Sequence, residues 1–448
     1  MFIKIPENIR RVLDTLQAAG FEAYIVGGCV RDALMGVQPH DFDVTTSATP
    51  QETERVFEGY RVIETGLKHG TVTVLSGGEP VEITTFRVDG EYLDGRHPES
   101  VSFTRCIEDD LSRRDFTING MAYSPKLGFV DLFGGQEDLA RGIIRCIGSP
   151  EKRFGEDALR ILRALRFSSV LGFAIEENTA RAVREGRGAL AKVSVERIFA
   201  ELKKLLCGKD AQRVLLEFPE VFAQIIPELA VQIGFEQGSR FHDRTLWEHT
   251  AAAVGAAECD VGLRLAMLFH DIGKPQRRTF GEDGEAHYYG HPEDSAIIAD
   301  RVLRSMNCDN ATRERVCRIV RFHEIPVEKS AKYIRRALAK HGLDGFRDIM
   351  LAHIADDSAK APIGQERIPQ TREAIRLAEE IMAQKPCLSI KELAINGGDL
   401  AGIIPPSPKL GRLLRKLTEE VIDEKLPNER EALLKRAAEL AAKNGADK

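Results

Sequence analysis

Two glycines followed closely by two aspartates constrain this chain more than any other feature of its sequence. Gly27 and Gly28 follow a short apolar run typical of a buried strand, and residues 30–35 have the pattern of a helix start. Glycines let a ligand approach the backbone closely, and the first N–H groups of a helix favour an anion. Asp41 and Asp43 on a strand would point to the same side. Such a carboxylate pair can hold hard divalent cations beside phosphates, so the stretch predicts a nucleotide-handling site.

The composition allows a large globular protein and argues against several other classes. The chain has 448 residues, of which 43% are hydrophobic and 29% are charged. Its eight cysteines include no CxxC pair, which argues against a zinc knuckle or a disulfide framework. No apolar run approaches the roughly 18 residues of a membrane-spanning helix, and no signal peptide is evident. We therefore expect a soluble, reduced, cytoplasmic protein that does not bind membranes.

Charge is distributed unevenly along the chain. The formal net charge is −6, which by itself argues against a nucleic-acid partner. Between Lys152 and Arg213, however, fourteen lysines and arginines face eight acidic residues, a local balance of +6. This segment can follow a phosphate backbone, or its charges can line a solvated helical face. Charge alone favours neither interpretation.

The strand and helix patterns divide the chain near residue 150. Before that point, residues 70–76 and 81–86 are rich in β-branched side chains and alternate in polarity, which predicts strands. The polar stretch at 87–100 contains glycine and proline and predicts a mobile loop. After residue 150, helical periodicity dominates to the end. The sequence thus predicts an α+β head followed by a long helical body.

A first arginine cluster lies at residues 113–119, with the sequence RRDFTIN. It sets two guanidiniums, Arg113 and Arg114, beside the carboxylate of Asp115. Arginine forks suit phosphate and ribose oxygens. Taken alone, the cluster fits an ordinary surface salt-bridge group better.

A second cluster lies at residues 156–167, where helical spacing puts four polar side chains on one half of the circumference. These are Asp157, Arg160, Arg163 and Arg166, and apolar residues fill the opposite arc. Asp157 can accept from a base amino group while Arg160 donates to a ring nitrogen or carbonyl, much as a complementary base would. In isolation, the better interpretation is an amphipathic helix with solvated arginines.

A third segment, at residues 197–206, places Arg197 and Glu201 four residues apart. This spacing predicts an ion pair on one helix face, and therefore a structural role.

Together these motifs resemble those of the class II tRNA nucleotidyltransferase (CCA-adding) and bacterial poly(A) polymerase family. The matching segments occur in family order across about residues 20–206, and they are GGCVRD, DFD, DGEYLDGRHPESVSF, RRDFTIN, DLFGG, EDALRILRALRF and RIFAELKKLL. The resemblance implies a polymerase-beta-like head with a mixed five-stranded sheet and helices, followed by an all-α body.

The resemblance also implies roles for individual residues. Asp41 and Asp43 would bind catalytic Mg²⁺, with Glu82 as a third carboxylate, and the loop at 91–103 would help the site change from C to A. The implied nucleotide-binding residues are Gly28, Arg31, Arg114, Asp115, Asp157, Arg160, Arg163 and Arg166. The implied reaction is attack of the tRNA 3′-hydroxyl on the α-phosphate of CTP or ATP, with release of pyrophosphate.

Histidines concentrate in the second half of the chain, where eight of the eleven follow residue 240. A lone histidine on an apolar helix is usually a core residue, but an adjacent His–Asp pair can share a divalent transition metal. The segments WEHT, FHDIGKP and ADD resemble the HD phosphohydrolase superfamily. The ligands implied by this resemblance are His249, His270, Asp271 and Asp356, with His291 and His323 completing a second metal position.

We therefore predict four parts and one main function. The parts are a nucleotidyltransferase head at 1–145, a helical neck at 146–232, an HD domain at 233–365 and an RNA-binding helical tail at 366–448. The function is addition of C, C and A to the tRNA 3′ end, with contacts to the acceptor and elbow region. The alternatives are a poly(A) polymerase, a partial CC- or A-adding enzyme, and an HD phosphohydrolase whose head only binds tRNA.

Overall fold

The structure, a computed structural model, describes residues 3–66, 70–90, 100–239, 241–282 and 284–446. The chain forms two compact units, Met1–Ala230 and Val231–Lys448. The first unit mixes a sheet with helices and the second is largely helical, as predicted for a head and a helical body. Within the described residues, no helix combines the length and the apolar character that crossing a bilayer requires. The finer four-part division stays a prediction.

A mixed sheet lies at the centre of the first unit. Strands β1 to β11 are Ala23–Val26, Asp43–Thr46, Val62–Gly66, Thr71–Ser76, Glu79–Thr85, Arg87–Asp89, Val101–Phe103, Met121–Ser124, Gly128–Asp131, Ile143–Ile144 and Ala174–Ile175. The sheet order is β3–β4–β5–β2–β1–β8–β9, and only β2 and β5 run parallel to each other. Outside this sheet, β6 pairs with β7 and β10 pairs with β11.

The prediction of five strands was wrong, because the described sheet has seven. All residues of β8 are buried, so its sequence lacks the alternation that reveals a half-buried strand. The polar stretch predicted as a loop also contains structure, because β6 and β7 pair across it. The predicted switching loop at 91–103 therefore includes β7, and its residues 91–99 lie outside the described ranges.

Helices cover both faces of this sheet. Helices α1 to α11 are Glu7–Ala18, Gly28–Leu34, Pro50–Val56, Ile107–Ser112, Gly135–Arg141, Pro150–Glu156, Leu159–Leu171, Glu177–Gly186, Val195–Leu206, Ala211–Glu217 and Pro219–Ile225. Helix α1 contributes Leu13 and Leu16 to one core, together with Ile83 of β5. Helix α4 contributes Leu111 to a second core, together with Phe86.

Strand β1 is buried on both faces and thereby fixes the position of the glycine turn. Its residue Ile25 belongs to the first core, whereas Val26 belongs to the second. Val26 is paired with Asp43 of β2 in antiparallel register. Because directly opposed residues point to the same face, Asp43 lies beside the end of β1, where the glycine turn begins.

The second unit is a set of helices with one small hairpin. Helices α12 to α21 are Leu246–Ala256, Val261–Phe269, Lys274–Arg277, His291–Ser305, Asn310–Phe322, Ala331–Ala359, Pro362–Gln365, Ile368–Ala383, Pro408–Ile422 and Arg430–Ala446. The predicted loss of strands after residue 150 holds except for β11 and the two-residue strands β12 (Thr279–Phe280) and β13 (Ala286–His287). Helices α17 and α19 share one core, and α20 and α21 share another.

Candidate functional site

The glycine turn connects β1 to α2, which begins at Gly28. Gly27 has a φ of +81°, a conformation that glycine adopts readily and other residues resist. A Cβ atom at Gly27 would lie 3.3 Å from Nη1 of Arg114. Gly27 is therefore needed both for the backbone conformation and for the close approach of the Arg114 guanidinium.

The two predicted metal-binding aspartates lie at the start of β2. Asp43 is the first residue of the strand, whereas Asp41 precedes the strand, so the prediction that both lie on it was wrong. Both side chains are exposed. Crowding by protein atoms raises the pKa of Asp43, the Arg114 guanidinium opposes this shift, and the nearby Asp41 carboxylate adds to it. Two accessible carboxylates that repel each other fit a hard divalent cation.

Glu82, the predicted third carboxylate, lies on the neighbouring strand β5. The parallel register aligns Val44 with Ile83, both of which belong to the core. The preceding residues of the two strands, Asp43 and Glu82, therefore point to the opposite face of the sheet. Glu82 is exposed, and its catalytic role stays a prediction.

Beside Asp43 lies a cleft of about 470 Å³, which we call the arginine-lined cleft. It collects residues from the glycine turn, the segment at 113–119, and helices α7 and α9. Its lining residues are Gly27, Gly28, Arg31, Asp43, Arg113, Arg114, Asp115, Asn119, Asp157, Leu159, Arg160, Arg163, Arg166, Phe167 and Arg197. Seven guanidiniums against three carboxylates make the cleft suited to a polyanion such as a triphosphate.

A buried carboxylate that the sequence analysis missed anchors two of these arginines. Asp110 binds Arg113 at 2.7 Å and Arg114 at 3.1 Å. Burial alone would raise the pKa of Asp110, but the two guanidiniums lower it below its usual value. The spacing of three and four residues between Asp110 and the two arginines, which follow the end of α4, was the available signal. Arg31 is held similarly, because it donates to Asn119 at 2.7 Å and pairs with Asp32.

Asp115 is buried and holds Arg163 through two hydrogen bonds. Its Oδ2 accepts from Nε and Nη2 of Arg163 at 2.8 and 2.6 Å, and its Oδ1 accepts from Asn119. Burial opposes ionisation of Asp115, but Arg163 outweighs it and lowers the pKa of the carboxyl. The predicted nucleotide-binding role of Asp115 stays a prediction, and the geometry adds that Asp115 orients Arg163.

The prediction of one continuous helix from residue 156 was wrong. Helix α6 ends at Glu156, Asp157 has an extended backbone (φ −142°, ψ 103°), and α7 begins at Leu159. Asp157 accepts from the backbone N–H of Leu159 at 3.1 Å, a competing local hydrogen bond that aspartate makes readily. Arg160 donates to Glu156 at 2.7 Å and to the Arg113 carbonyl at 3.1 Å.

The predicted pair of Arg197 and Glu201 was also wrong. Arg197 binds Asp157 at 2.8 Å, and Glu201 binds Arg166 at 2.6 Å. Helix α9 packs against α7, so each charged side chain reaches a partner on another element, and the i,i+4 spacing does not decide the pairing. Arg197 lines the cleft and is a candidate functional residue that the sequence analysis assigned to structure.

Phe167 brings the like-charged arginines of the cleft together. The guanidiniums of Arg166, Arg31 and Arg163 lie 4.0, 5.2 and 5.3 Å from the centre of its ring. The negative face of an aromatic ring attracts cations, which offsets part of their mutual repulsion. The aromatic residue next to Arg166 in the sequence was the only signal for this role.

In the second unit, six predicted ligands form one buried group, which we call the histidine–aspartate cluster. Its members are His249, His270, Asp271, His291, His323 and Asp356. Oδ2 of Asp271 lies 3.4 and 3.2 Å from Nε2 of His249 and His270. Oδ1 of the same residue lies 3.0 and 3.5 Å from Nε2 of His291 and His323. Oδ1 of Asp356 lies 3.0 Å from Nε2 of His249.

The hydrogen bonds behind the cluster orient its imidazoles for metal ligation. Nδ1–H of His270, His291 and His323 donates to backbone carbonyls at 2.7, 2.8 and 2.7 Å. A protonated Nδ1 leaves the lone pair of Nε2 facing the aspartates, which is the usual tautomer of a metal-bound histidine. Nε2 of His291 and His323 is buried without a hydrogen-bond partner among the described residues. These donor atoms fit divalent cations.

Two lysines that the sequence analysis did not single out, one buried and one partly buried, contact the outer side of the cluster. Lys274 lies 2.6 Å from Asp271, and Lys360 lies 2.7 Å from Asp356. Lys274 follows the His–Asp pair within FHDIGKP, so the motif itself was the available signal. His287 lies on β13 and outside the cluster.

Family models match three parts of the chain. The Poly A polymerase head domain matches residues 23–145, the probable RNA and SrmB-binding site of polymerase A matches 172–233, and the putative tRNA nucleotidyltransferase domain 2 matches 295–437. The first match covers the glycine turn, and the second covers the segment that follows α7. The third covers the chain from within α15 to within α21.

Complete relatives and solved structures agree with these matches. The chain is 35% identical to a CCA-adding enzyme of Limosilactobacillus fermentum over 437 residues, 97% of each chain. A crystal structure of the Bacillus stearothermophilus CCA-adding enzyme in complex with CTP matches with a TM-score of 0.76 and 30% identity, covering 99% of this chain and 100% of that one. The Thermotoga maritima CCA-adding enzyme complexed with tRNA shares the fold at a TM-score of 0.60 and 20% identity, covering 97% and 96%. The chain belongs to the family of CCA-adding enzymes.

Proposed function

We propose that this protein adds C, C and A to the 3′ end of tRNA from CTP and ATP without a nucleic-acid template. The observation that carries the proposal is 35% identity to a CCA-adding enzyme over 97% of both chains. The arginine-lined cleft beside Asp41 and Asp43 supports it, because it offers cations for a triphosphate next to carboxylates for a metal. The cytoplasmic location predicted from the sequence stays a prediction.

Asp41 and Asp43 are the residues that would hold Mg²⁺, with Glu82 as a third carboxylate on the adjacent strand. When bound, Mg²⁺ activates the 3′-hydroxyl and neutralises charge on the pyrophosphate that leaves. Gly28, Arg31 and Arg114 then bind and orient the triphosphate beside the carboxylates.

Asp157 and Arg160 remain able to recognise a base after their structural contacts are counted. Asp157 uses one lone pair for the N–H of Leu159 and one for Arg197, so its carboxylate keeps further lone pairs for an amino group. Arg160 donates from Nη1 to Glu156 and to the Arg153 carbonyl, and from Nη2 to the Arg113 carbonyl. Its Nε–H has no hydrogen-bond partner among the described residues. An acceptor and a donor side by side can pair with the edges of cytosine and adenine. Arg163 and Arg166 complete the nucleotide pocket.

Single nucleotides offered to trimmed tRNAs test this function. A transcript that lacks only the terminal A should take up A from ATP. Transcripts that lack two or three terminal nucleotides should first take up C from CTP and then A from ATP, so that CCA is restored. Long A tails from ATP alone would instead identify a poly(A) polymerase. Addition that stops after CC, or that occurs only onto CC ends, would identify a partial enzyme.

Two substitutions separate nucleotide addition from hydrolysis in the second unit. Asp41→Ala should abolish incorporation of CMP, because it removes a predicted Mg²⁺ ligand. The double change His270→Ala and Asp271→Ala should leave incorporation intact and remove any phosphohydrolase activity. Normal incorporation by Asp41→Ala would favour the alternative of an HD phosphohydrolase whose head only binds tRNA.

We also infer a second, metal-dependent phosphohydrolase activity at the histidine–aspartate cluster. The inference is supported by four imidazole Nε2 atoms that surround the Asp271 carboxylate, two near each of its oxygens. This arrangement fits one transition metal at each carboxylate oxygen. When bound, such metals supply a nucleophilic water and polarise a phosphoryl oxygen. Release of phosphate from phosphoesters by protein reconstituted with Mn²⁺, Co²⁺ or Ni²⁺ tests the inference, with the double variant above as control.

A further inference from the structure

Asn119 joins two parts of the arginine-lined cleft that come from different helices. Its Oδ1 accepts from Nη1 of Arg31, a residue of α2, at 2.7 Å. Its Nδ2 donates to Oδ1 of Asp115 at 3.2 Å, and the other carboxylate oxygen of Asp115 holds Arg163 of α7. A single carboxamide therefore links the Arg31 guanidinium to the ion pair that orients Arg163.

The chemistry of the two partners fixes the orientation of this carboxamide. A guanidinium only donates hydrogen bonds and an ionised carboxylate only accepts them, so the oxygen of Asn119 must face Arg31 and its nitrogen must face Asp115. Asn119 is buried, although it lines the cleft. An aspartate at this position could satisfy Arg31 but would repel Asp115, and an apolar residue could satisfy neither partner. The position therefore requires an amide.

The turn that carries Asn119 is held from behind by α5. Asn119 ends the short helical turn Thr117–Asn119, and the buried Thr117 hydroxyl donates to Oδ2 of Asp138 at 2.7 Å. Asp138 is also buried, and it accepts from Nε of Arg145 at 3.0 Å. The backbone carbonyl of Arg145 accepts from the N–H of Thr117 at 2.9 Å. Side-chain and backbone hydrogen bonds together fix the start of the turn.

The segment DLFGG at 131–135 brings the start of α5 close to this turn. Asp131 accepts from the backbone N–H groups of Gly135 and Gln136, the first two residues of α5, at 2.7 and 2.9 Å. A Cβ atom at Gly135 would overlap the Thr117 carbonyl oxygen, so a larger residue would push the helix and the turn apart. The segment therefore sets the distance at which Asp138 reaches Thr117.

We propose that Asn119 is a positioning residue for nucleotide addition. It fixes the Arg31 guanidinium, which binds the triphosphate, relative to Arg163 in the same nucleotide pocket. Asp138 in turn fixes Asn119 by holding the Thr117 hydroxyl. The proposal rests on the nucleotide addition proposed above and adds two residues that prepare its site. Without the bridge, each guanidinium can adopt other rotamers, and the loss of this order lowers the affinity for a nucleoside triphosphate.

Equilibrium binding of CTP to the full-length protein tests this role without catalysis. Isothermal titration with Mg²⁺ present and tRNA absent should show that Asn119→Ala weakens CTP binding roughly tenfold or more, the scale for a lost hydrogen bond to a charged group. Asn119→Asp should also weaken it, because the new carboxylate keeps the contact with Arg31 but repels Asp115. Unchanged CTP affinity in either variant would overturn the proposal.

Substitutions at Thr117 separate positioning from stability. Thr117→Val keeps the size of the side chain but removes the bond to Asp138, so it should weaken CTP binding roughly threefold or more, the scale for a residue that acts through another. Thr117→Ser keeps the hydroxyl and should recover most of the affinity. The matched control is Thr250→Val in the second unit, because the buried Thr250 hydroxyl donates to Oε1 of Gln232 at 2.7 Å.

Both valine variants lose one buried hydrogen bond, so both should lose free energy of unfolding in urea. Only Thr117→Val should lose affinity for CTP. Equal CTP affinities in Thr117→Val and Thr250→Val would overturn the role of Asp138.

Incorporation of CMP into a tRNA that lacks CCA distinguishes failure of this proposal from failure of the proposed function. Asn119→Ala should lower kcat/KM for CTP by at least the factor by which it weakens binding. Equal incorporation kinetics in Asn119→Ala and the unchanged protein would overturn the positioning role and leave the proposed function intact. If the unchanged protein binds CTP but does not incorporate CMP, the proposed function is contradicted, and the CTP affinities still decide the role of Asn119.

Discussion

Arg197 and Asp157 are 40 residues apart in the sequence, and their side chains meet at 2.8 Å. The contact ties helix α9 to the break between α6 and α7, where Asp157 has an extended backbone. Both side chains are partly buried, and both line the arginine-lined cleft. Arg197 therefore positions the carboxylate that we propose as an acceptor for the base.

Replacing Arg197 should impair nucleotide selection more than folding. Without the guanidinium, the Asp157 carboxylate loses a charge-assisted hydrogen bond, which contributes about 1.5–3 kcal/mol, or roughly 10- to 100-fold in rate. We expect Arg197→Ala to lower kcat/KM for CTP and ATP by that factor in single-nucleotide incorporation. Arg181→Ala removes an exposed arginine from the same unit and should match the unchanged protein. Equal kinetics for the two variants would contradict the positioning role.

Gly27 and Gly20 allow backbone strain to be separated from the site. Both have positive φ, +81° and +87°, but a Cβ at Gly27 would meet Arg114, whereas a Cβ at Gly20 would meet nothing within 4 Å. Alanine should lower the free energy of unfolding by about 1–2 kcal/mol at either position. Only Gly27→Ala should also raise KM for CTP, because it displaces the guanidinium. Denaturant unfolding and incorporation assays check this, and a similar loss of activity in Gly20→Ala would contradict it.

The Asp115–Arg163 pair should make stability depend on pH on the acidic side. Its carboxyl has a lowered pKa in the folded protein, so its stabilisation is fully present above the unfolded pKa of about 3.9 and is lost as pH falls through the folded pKa. Asp115→Asn should lower the free energy of unfolding at pH 7 by about 3 kcal/mol, the low end for a broken buried pair, because Arg163 is partly exposed.

The measurement for this pair is urea unfolding between pH 7 and pH 3. The difference between the unchanged protein and Asp115→Asn should shrink as pH falls below about 4. Asp109→Asn, a change at an aspartate hydrogen-bonded to Thr104, serves as a control in the same segment. A difference that stays constant over the whole range would show that the carboxylate charge of Asp115 is not what stabilises the fold.

Metal addition should stabilise the second unit through the histidine–aspartate cluster. A ligand that binds only the folded state at 100 times its Kd adds about 2.7 kcal/mol of stability. We expect Mn²⁺ or Co²⁺ to raise Tm in the unchanged protein, a chelator to reverse the rise, and Asp271→Asn to abolish it. Asp357 is a buried aspartate that binds Lys360 and is not a member of the histidine–aspartate cluster. Asp357→Asn should therefore keep the metal-dependent rise in Tm. A rise that survives in Asp271→Asn would contradict the site.

Much of the candidate site was predictable because its residues lie in short motifs. The glycine turn follows a strand with a clear apolar pattern, and four members of the histidine–aspartate cluster lie in the segments that resemble the HD superfamily, namely His249, His270, Asp271 and Asp356. The error in pairing Arg197 with Glu201 arose because each residue had more than one possible partner. Arg166 and Glu201 meet at 2.6 Å although local spacing assigned Glu201 to Arg197, because the packing of α7 on α9 brings Arg166 to the Glu201 carboxylate.

Four features could be read from the amino-acid order alone: the order of the motifs, the glycine turn, the aspartate pair and the change from a mixed to a helical architecture. These features depend on neighbouring residues, whose backbone preferences and periodicity act over a few positions. Three other features became visible in the folded chain: Asp110 anchors two arginines, three guanidiniums lie around Phe167, and backbone carbonyls hold the imidazoles of the cluster. Such contacts depend on how helices and strands pack, and residues far apart in the chain compete for the same charged partner.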